Sequence, residues 1–150
     1  MTVAWRLASG RHPPLTGEGA RLVGGRWNSP GRQVVYTSES LALCLAEALV
    51  HLPGRLPADY VALKLELPTG AVELLDAAAL KGSWAADIAY TRAIGDQWIE
   101  QGRSLALAVP SAVLPASTNI LINPAHARAD RVRASDPLPF EFDPRLRPGS

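Results

Sequence analysis

Leu41-Ala42-Leu43-Cys44-Leu45-Ala46-Glu47-Ala48-Leu49-Val50 is apolar at every position but one. A run of this length without a polar face reads as a helix buried on most of its surface, and Glu47 then sits where an unpaired carboxylate is costly. Something elsewhere in the chain has to compensate for it. Ser38 or Ser40 is placed to cap the helix, which is expected to run to about Leu52 and stop near Pro53-Gly54. Immediately upstream, Val34-Val35-Tyr36-Thr37 is a short β-like run carrying a phenol. Before it lies Gly24-Gly25-Arg26-Trp27-Asn28-Ser29-Pro30-Gly31, a glycine-bounded loop with one arginine. Guanidinium, phenol and carboxylate from neighbouring segments suggest a pocket for an anionic, ring-containing ligand.

Further out, Thr2 to Leu7 is a strand candidate, and Ser9 to Gly31 is rich in Gly, Pro and Arg with little periodicity, which reads as a long loop. The two glycines before Arg26 favour an ordered turn within it. Downstream, Tyr60 to Leu67 sets Val61, Leu63, Leu65 and Leu67 against Ala62, Lys64 and Glu66, the period-two pattern of a strand with one face on a core. Val72 to Leu75 is a further strand candidate. Residues from about Ala86 to Gln101 place Ile88, Ile94, Trp98 and Ile99 near helical spacing, with Gly102 to end the helix. Ser104 to Val109 and Asn119 to Ile122 read as two more strands. The closing stretch Asp136 to Ser150 carries Pro137, Pro139, Pro144 and Pro148 around Phe140-Glu141-Phe142, a proline-rich tail that lies as an edge strand or hangs free. The elements give an α+β order, and 150 residues fit one domain over 1–150.

Fifteen Lys and Arg against 14 Asp and Glu leave a formal charge of +1, so no whole-chain field recommends nucleic acid or an anionic membrane as the main partner. Only Lys64 and Lys81 are lysines; the arginine excess suits planar anion recognition and equally fits a GC-rich genome. Cys44 stands alone, which rules out an internal disulfide and, with no basic-apolar leader, points to a cytoplasmic protein. Within an apolar helix it reads as a small buried hydrophobe rather than a nucleophile. His12, His51 and His126 lack the paired spacings of a zinc site, so no metal is expected, and the 41–52 helix is too short to span a bilayer.

Trp5-Arg6, Gly24-Gly25-Arg26-Trp27-Asn28, Val35-Tyr36, Ala46-Glu47 and Val109-Pro110-Ser111 together resemble the RES family, named for its arginine, glutamate and serine. The resemblance continues through Ile94-Gly95-Asp96-Gln97-Trp98 and Asn119-Ile120-Leu121-Ile122-Asn123-Pro124, and so covers nearly the whole chain. It implies an ADP-ribosyltransferase-like fold with a split, twisted β core and flanking helices. It also implies a toxin that consumes NAD+ as substrate without a prosthetic group, paired with a small helical, DNA-binding, Xre-like antitoxin that occludes the pocket. Carried over by position, Arg6 and Arg26 hold the dinucleotide and Tyr36 packs at the nicotinamide. Glu47 is the catalytic acid residue, with Arg26 and Tyr36 beside it; Gly25 and Asn28 belong to the binding loop, and Ser111 hydrogen-bonds the ligand.

Elementary chemistry accounts for these types. Arginine grips phosphate with paired hydrogen bonds, and glycine lets backbone approach a ligand without a Cβ. A phenol offers a flat face while its hydroxyl keeps a polar partner. Cleavage between ribose and nicotinamide passes through an oxocarbenium-like state that one carboxylate stabilises, and the leaving nicotinamide is already neutral, so a second carboxylate is unnecessary. Val109-Pro110-Ser111-Ala112-Val113 lacks the glycine-flanked elbow of a hydrolase nucleophile. Trp27, Trp84 and Trp98 read as core or pocket wall, Asn119 and Asn123-Pro124 as turn chemistry, and His51 as structural or solvated. The competing functions are a non-catalytic NAD or ADP-ribose-binding module and an RNA-directed toxin. Water, phosphate and a protein side chain all stand as acceptors of ADP-ribose.

Overall fold

The structure, a computed structural model, describes residues 1–52 and 54–147. Pro53, at the expected end of the long apolar helix, and Pro148 to Ser150 of the tail lie outside the described residues. The chain runs β1 (Thr2–Ser9), α1 (Glu18–Val23), β2 (Val35–Ser38), α2 (Leu41–His51), β3 (Tyr60–Leu67), β4 (Val72–Leu74), α3 (Ile88–Gln101), β5 (Ala106–Pro110), β6 (Thr118–Ile122), β7 (Arg133–Ala134) and β8 (Leu138–Pro139), with short 3-10 turns between. The strands lie in the order β4-β5-β6-β2-β1-β3-β7, with β8 also on β3. All neighbours are antiparallel except β4 and β5.

The sheet is split. β1 pairs with β3 from Thr2↔Leu67 to Ser9↔Tyr60, but meets β2 only at Trp5↔Ser38. Side chains serve carbonyls at the junction: Arg6 Nη1 donates to the Tyr36 carbonyl at 2.8 Å, and the Cys44 thiol donates to the Trp5 carbonyl at 3.0 Å. Each face of the sheet buries its own core. Ala4, Val35, Leu63, Leu65, Ile120 and Ile122 pack on one side, and Trp27, Val34, Trp98, Leu107, Val109 and Leu121 on the other. Alternation along β6 makes this possible, since Ile120 and Ile122 point away from Leu121.

Two expectations are corrected. The Ser9–Gly31 loop contains α1, a helix with no buried residue that the Gly- and Arg-rich composition concealed. The helix α2 is not buried on most of its surface: only Leu43 and Cys44 are, while Ala42, His51 and Val50, at 61% exposure, face solvent. Apolar composition says what a helix is able to bury, whereas the single layer of strand beneath α2 covers one side only. Of the two readings of the tail, the edge strand is the one found over 138–142, where β8 pairs with β3 and Phe142, 8% exposed, packs edge-on against Tyr60 and Phe140. Tyr60–Leu67 and the end of α3 at Gly102 fall where the pattern places them.

Candidate active site

Ser40 begins α2: its Oγ accepts from the Leu43 amide at 3.1 Å, orienting the helix that carries Glu47. Glu47 is half-buried, and the donors its carboxylate needs come from β5 and β6. Ser111 Oγ, just past β5, and Asn119 Nδ2, in β6, each donate to Glu47 Oε1 at 2.7 Å. Among the described residues no hydrogen bond reaches Oε2. Compensation thus comes from two neutral donors, both on one oxygen.

Arg6 sits in β1 beside this group. Its Nε is buried without a hydrogen-bond partner, and no carboxylate among the described residues pairs with it. Burial lowers its pKa below the ordinary guanidinium value, though an arginine remains a cation at neutral pH. A desolvated cation without a counter-ion is costly in the empty protein and favourable once an anion arrives.

Tyr36 joins the two sides of the site. Its carbonyl receives Arg6, while its hydroxyl donates to Asn28 Oδ1 at 2.6 Å and accepts from the Trp27 amide at 3.0 Å. Burial raises the phenol pKa, so the hydroxyl stays protonated and engaged, and only the ring is left for a ligand. A Cβ on Gly25 would come within 2.6 Å of the Tyr36 hydroxyl, which is why glycine stands there. The loop closes on itself through a Gly25↔Asn28 bridge, the ordered turn that the paired glycines suggest. Arg26 extends from it and donates Nη1 to the Ala85 carbonyl at 2.9 Å, towards the Trp84–Ala86 turn.

Two expected ligand contacts are relocated. Asn28 and Ser111 each have 0% exposure, so neither side chain reaches a ligand directly in this conformation. The Asn28 amide is divided among the carbonyls of Ala20, Ser29 and Arg32, and Ser111 Oγ also accepts from the Val113 and Leu114 amides. Asn28 acts on Tyr36, and Ser111 on Glu47. Asn119 is likewise not turn chemistry: it pairs with Ser38 across the β2–β6 ladder, and Ser38 Oγ donates to Asn119 Oδ1 at 2.8 Å. Sequence reasoning missed Ser38 and Asn119, whose only signal was period two: Ser38 shares a sheet face with Tyr36, and Asn119 with Leu121.

Other expectations hold. Cys44 is buried with its pKa raised by desolvation, the state of an inert thiol, and Trp27 and Trp98 are core. His51 is exposed at the end of α2. Two clefts on the surface have other linings. One, of about 190 Å3, is bordered by Lys64, Glu66 and Arg133 to Ser135, and the other, of about 230 Å3, lies between Leu74 and Thr118. Arg6, Arg26, Tyr36 and Glu47 line neither: Arg6 is bonded to the Tyr36 carbonyl, Glu47 is linked through Asn119 to Ser38, and Arg26 is bonded to the Ala85 carbonyl.

A mixed sheet split at one strand pair, with a carboxylate-bearing helix laid over the junction, defines an α+β domain of ADP-ribosyltransferase-like architecture. The same chain is matched from residue 3 to residue 143 by the RES domain model, and it belongs to that family. The Prs ADP-ribosylating toxin of Sphingobium sp. (strain YBL2) is 36% identical to it over 155 residues, 97% of this chain and 96% of the relative. Toxin Res of Pseudomonas putida (strain KT2440) is 36% identical over 149 residues, 96% and 99% of the two chains. Among solved structures, a chain of the M. tuberculosis MbcT-MbcA toxin–antitoxin complex shares the fold with a TM-score of 0.75 at 20% identity, covering 93% of this chain and 84% of that one. Among the described residues no helix is long and apolar enough to cross a membrane.

Proposed function

We propose that this protein is a toxin that cleaves the nicotinamide–ribose bond of NAD+ and passes ADP-ribose to an acceptor, with a cognate antitoxin covering the site. The observation that carries the reading is Glu47, held by two donors on Oε1 with no hydrogen bond to Oε2 among the described residues, together with the half-buried guanidinium of Arg6, whose Nη1 meets the Tyr36 carbonyl while its Nε is left without a partner. The ADP-ribosylating activity in the name of the Sphingobium relative and the antitoxin in the M. tuberculosis complex support it.

Arg6 and Arg26 are assigned to the diphosphate, where a guanidinium forms charge-assisted hydrogen bonds. Gly25 lets the loop lie close to the Tyr36 hydroxyl, and the Tyr36 ring flanks nicotinamide. Glu47 Oε2 faces the ribose. As the glycosidic bond breaks, its electron pair leaves with nicotinamide, converting a pyridinium ring into a neutral pyridine, and the ribose becomes oxocarbenium-like. The fixed carboxylate stabilises that positive charge. The acceptor then bonds to the ribose carbon and gives up its proton. Water, phosphate and a protein side chain fit this step equally. We place the reaction in the cytoplasm, where NAD+ is abundant, and assign the antitoxin, an Xre-like helical DNA-binding protein, to the same face.

Nicotinamide release from NAD+ by the purified protein tests the reading, with and without phosphate or lysate to identify the acceptor. Glu47→Gln keeps an oxygen for Ser111 and Asn119, so it is expected to fold normally and lose roughly 10²- to 10³-fold in turnover, the scale of losing one preorganised electrostatic group. Tight NAD+ binding with no nicotinamide release by the wild type would instead make the domain a non-catalytic binding module.

A further inference from the structure

We infer that Asn119, oriented by Ser38, is a positioning residue for the proposed reaction: the pair fixes which oxygen of Glu47 faces the substrate. The inference rests on the reading of Glu47 as the group that stabilises the ribosyl cation.

The hydrogen bonds around Glu47 form one connected set. Ser111 Oγ accepts from the amides of Val113 at 3.1 Å and Leu114 at 3.0 Å, which occupies both lone pairs of a hydroxyl and leaves only its proton to give. That proton goes to Glu47 Oε1. Ser38 Oγ donates to Asn119 Oδ1 at 2.8 Å, and the amide nitrogen points the other way, to the same Oε1 at 2.7 Å. A flipped amide would set two acceptor oxygens against each other at that distance and turn its nitrogen away from the acceptor it needs. Oε1 therefore receives two donors, one from Ser111 and one from Asn119.

The fold makes this arrangement rigid. Ser38 and Asn119 are register partners across β2 and β6, and Ser38 is also the residue through which β2 meets β1 at Trp5. Ser38 is 4% exposed and Ser111 0%. The orientation of Glu47 is thus set by the strand pairing that joins the two halves of the sheet. Helix α2 supplies the side chain, whereas the sheet supplies its direction.

Two measurements test the inference, one independent of activity. In steady-state NAD+ turnover, Asn119→Ala is expected to lower kcat about 10- to 100-fold with KM within about threefold, because misaiming a reacting group by about 1 Å is felt in the transition state more than in binding. Ser38→Ala, which removes the donor to the amide oxygen but leaves the amide present, is expected to give a smaller kcat loss in the same direction. Wild-type kcat in Asn119→Ala, or a loss carried entirely by KM, overturns the positioning role. In thermal unfolding, Asn119→Asp sets a second carboxylate against Glu47 and is expected to lower the midpoint by about 5 °C or more. In the Glu47→Gln background no negative charge opposes the new carboxylate, and the same substitution is expected to cost less than half as much. Equal costs in both backgrounds overturn the geometry. If the wild type releases no nicotinamide, the proposed reaction fails rather than the arrangement, and the unfolding cycle alone decides: coupling supports it and additivity overturns it.

Discussion

Arg6 and Glu47 are both half-buried charges, and the protein treats them in opposite ways. Glu47 is given two fixed donors, whereas Arg6 has one carbonyl partner, an orphaned Nε and no counter-ion among the described residues. A side chain kept only for stability would not be left so. Replacing a buried ion by an apolar residue of similar volume is often neutral or stabilising, since the desolvation cost disappears with the charge. Arg6→Met is therefore expected to change the stability of the free protein by no more than about 1 kcal/mol in either direction, the Tyr36 carbonyl losing one donor as the cation is removed. The same variant is expected to raise KM for NAD+ about 10- to 100-fold, the worth of a charge-assisted hydrogen bond to phosphate. Urea denaturation and initial-rate kinetics on one preparation check both halves. A large loss of stability with unchanged KM would make Arg6 a fastener of the β1–β2 junction and nothing more.

Among the elements, α3 decides the shape of the Arg26 loop. Along its inner face Thr91 Oγ1 donates to the Arg26 carbonyl at 2.6 Å, Arg92 Nε to the Gly25 carbonyl at 2.8 Å, and Asp96 accepts from the Ser29 amide at 2.9 Å and its hydroxyl at 2.6 Å. Gly95 lies between them, so close to the loop that a Cβ would stand 1.7 Å from the Trp27 carbonyl oxygen and 2.7 Å from its carbon. Alanine would favour the helix by about 1 kcal/mol, but the obstructing atoms are backbone and cannot swing aside. Gly95→Ala is expected to destabilise by at least about 2 kcal/mol in urea and to raise KM for NAD+ through the displaced loop. An alanine variant as stable as wild type would show that α3 and the loop separate easily. The contrast with Tyr60–Leu67 explains what was legible in the sequence. That strand announces itself because its period-two pattern is local, and α2 because its apolar run is local. The helix face that holds Arg26, Trp27 and Ser29, and the Asn119 amide that aims Glu47, are contacts between residues more than 60 positions apart. Glu47 was visible as an anomaly needing donors, but Ser38 and Asn119 carry no local pattern that marks them as parts of one site.

For the whole molecule, the split sheet buries Cys44 and half-buries Tyr36 and Tyr60, three weak acids, and this shapes how stability responds to pH. Burial raises the pKa of Cys44 above its ordinary 9.0, and of Tyr36 and Tyr60 above 10.0, with Asp59 adding to the effect at Tyr60. Each acid holds its proton more tightly folded than unfolded. Above the unfolded values the unfolded chain has released protons that the folded chain retains, and stability falls with rising pH; below them both states are protonated and the full contribution is present. On the acid side the pattern is weaker. Hydrogen bonds from Arg21, Arg103, Lys81 and Arg145 lower the carboxyl pKa values of Glu18, Glu73, Asp87 and Asp143, but these pairs face solvent, where such interactions contribute little. Their stabilisation is present above the ordinary carboxylate range and fades as pH drops through the lowered values. The expected profile is therefore asymmetric: a broad plateau through neutral pH, a shallow acid arm, and a steep alkaline arm that begins near pH 9. Urea midpoints measured from pH 4 to pH 11 check it, and an alkaline arm shallower than the acid one would sink it. Cys44 gives the steep arm a structural location, because its thiol proton is the donor to the Trp5 carbonyl at the one pair joining β1 to β2. Ionising it removes that donor and places a second negative charge near Glu47, so alkaline unfolding is expected to open the molecule at the junction where the site is built.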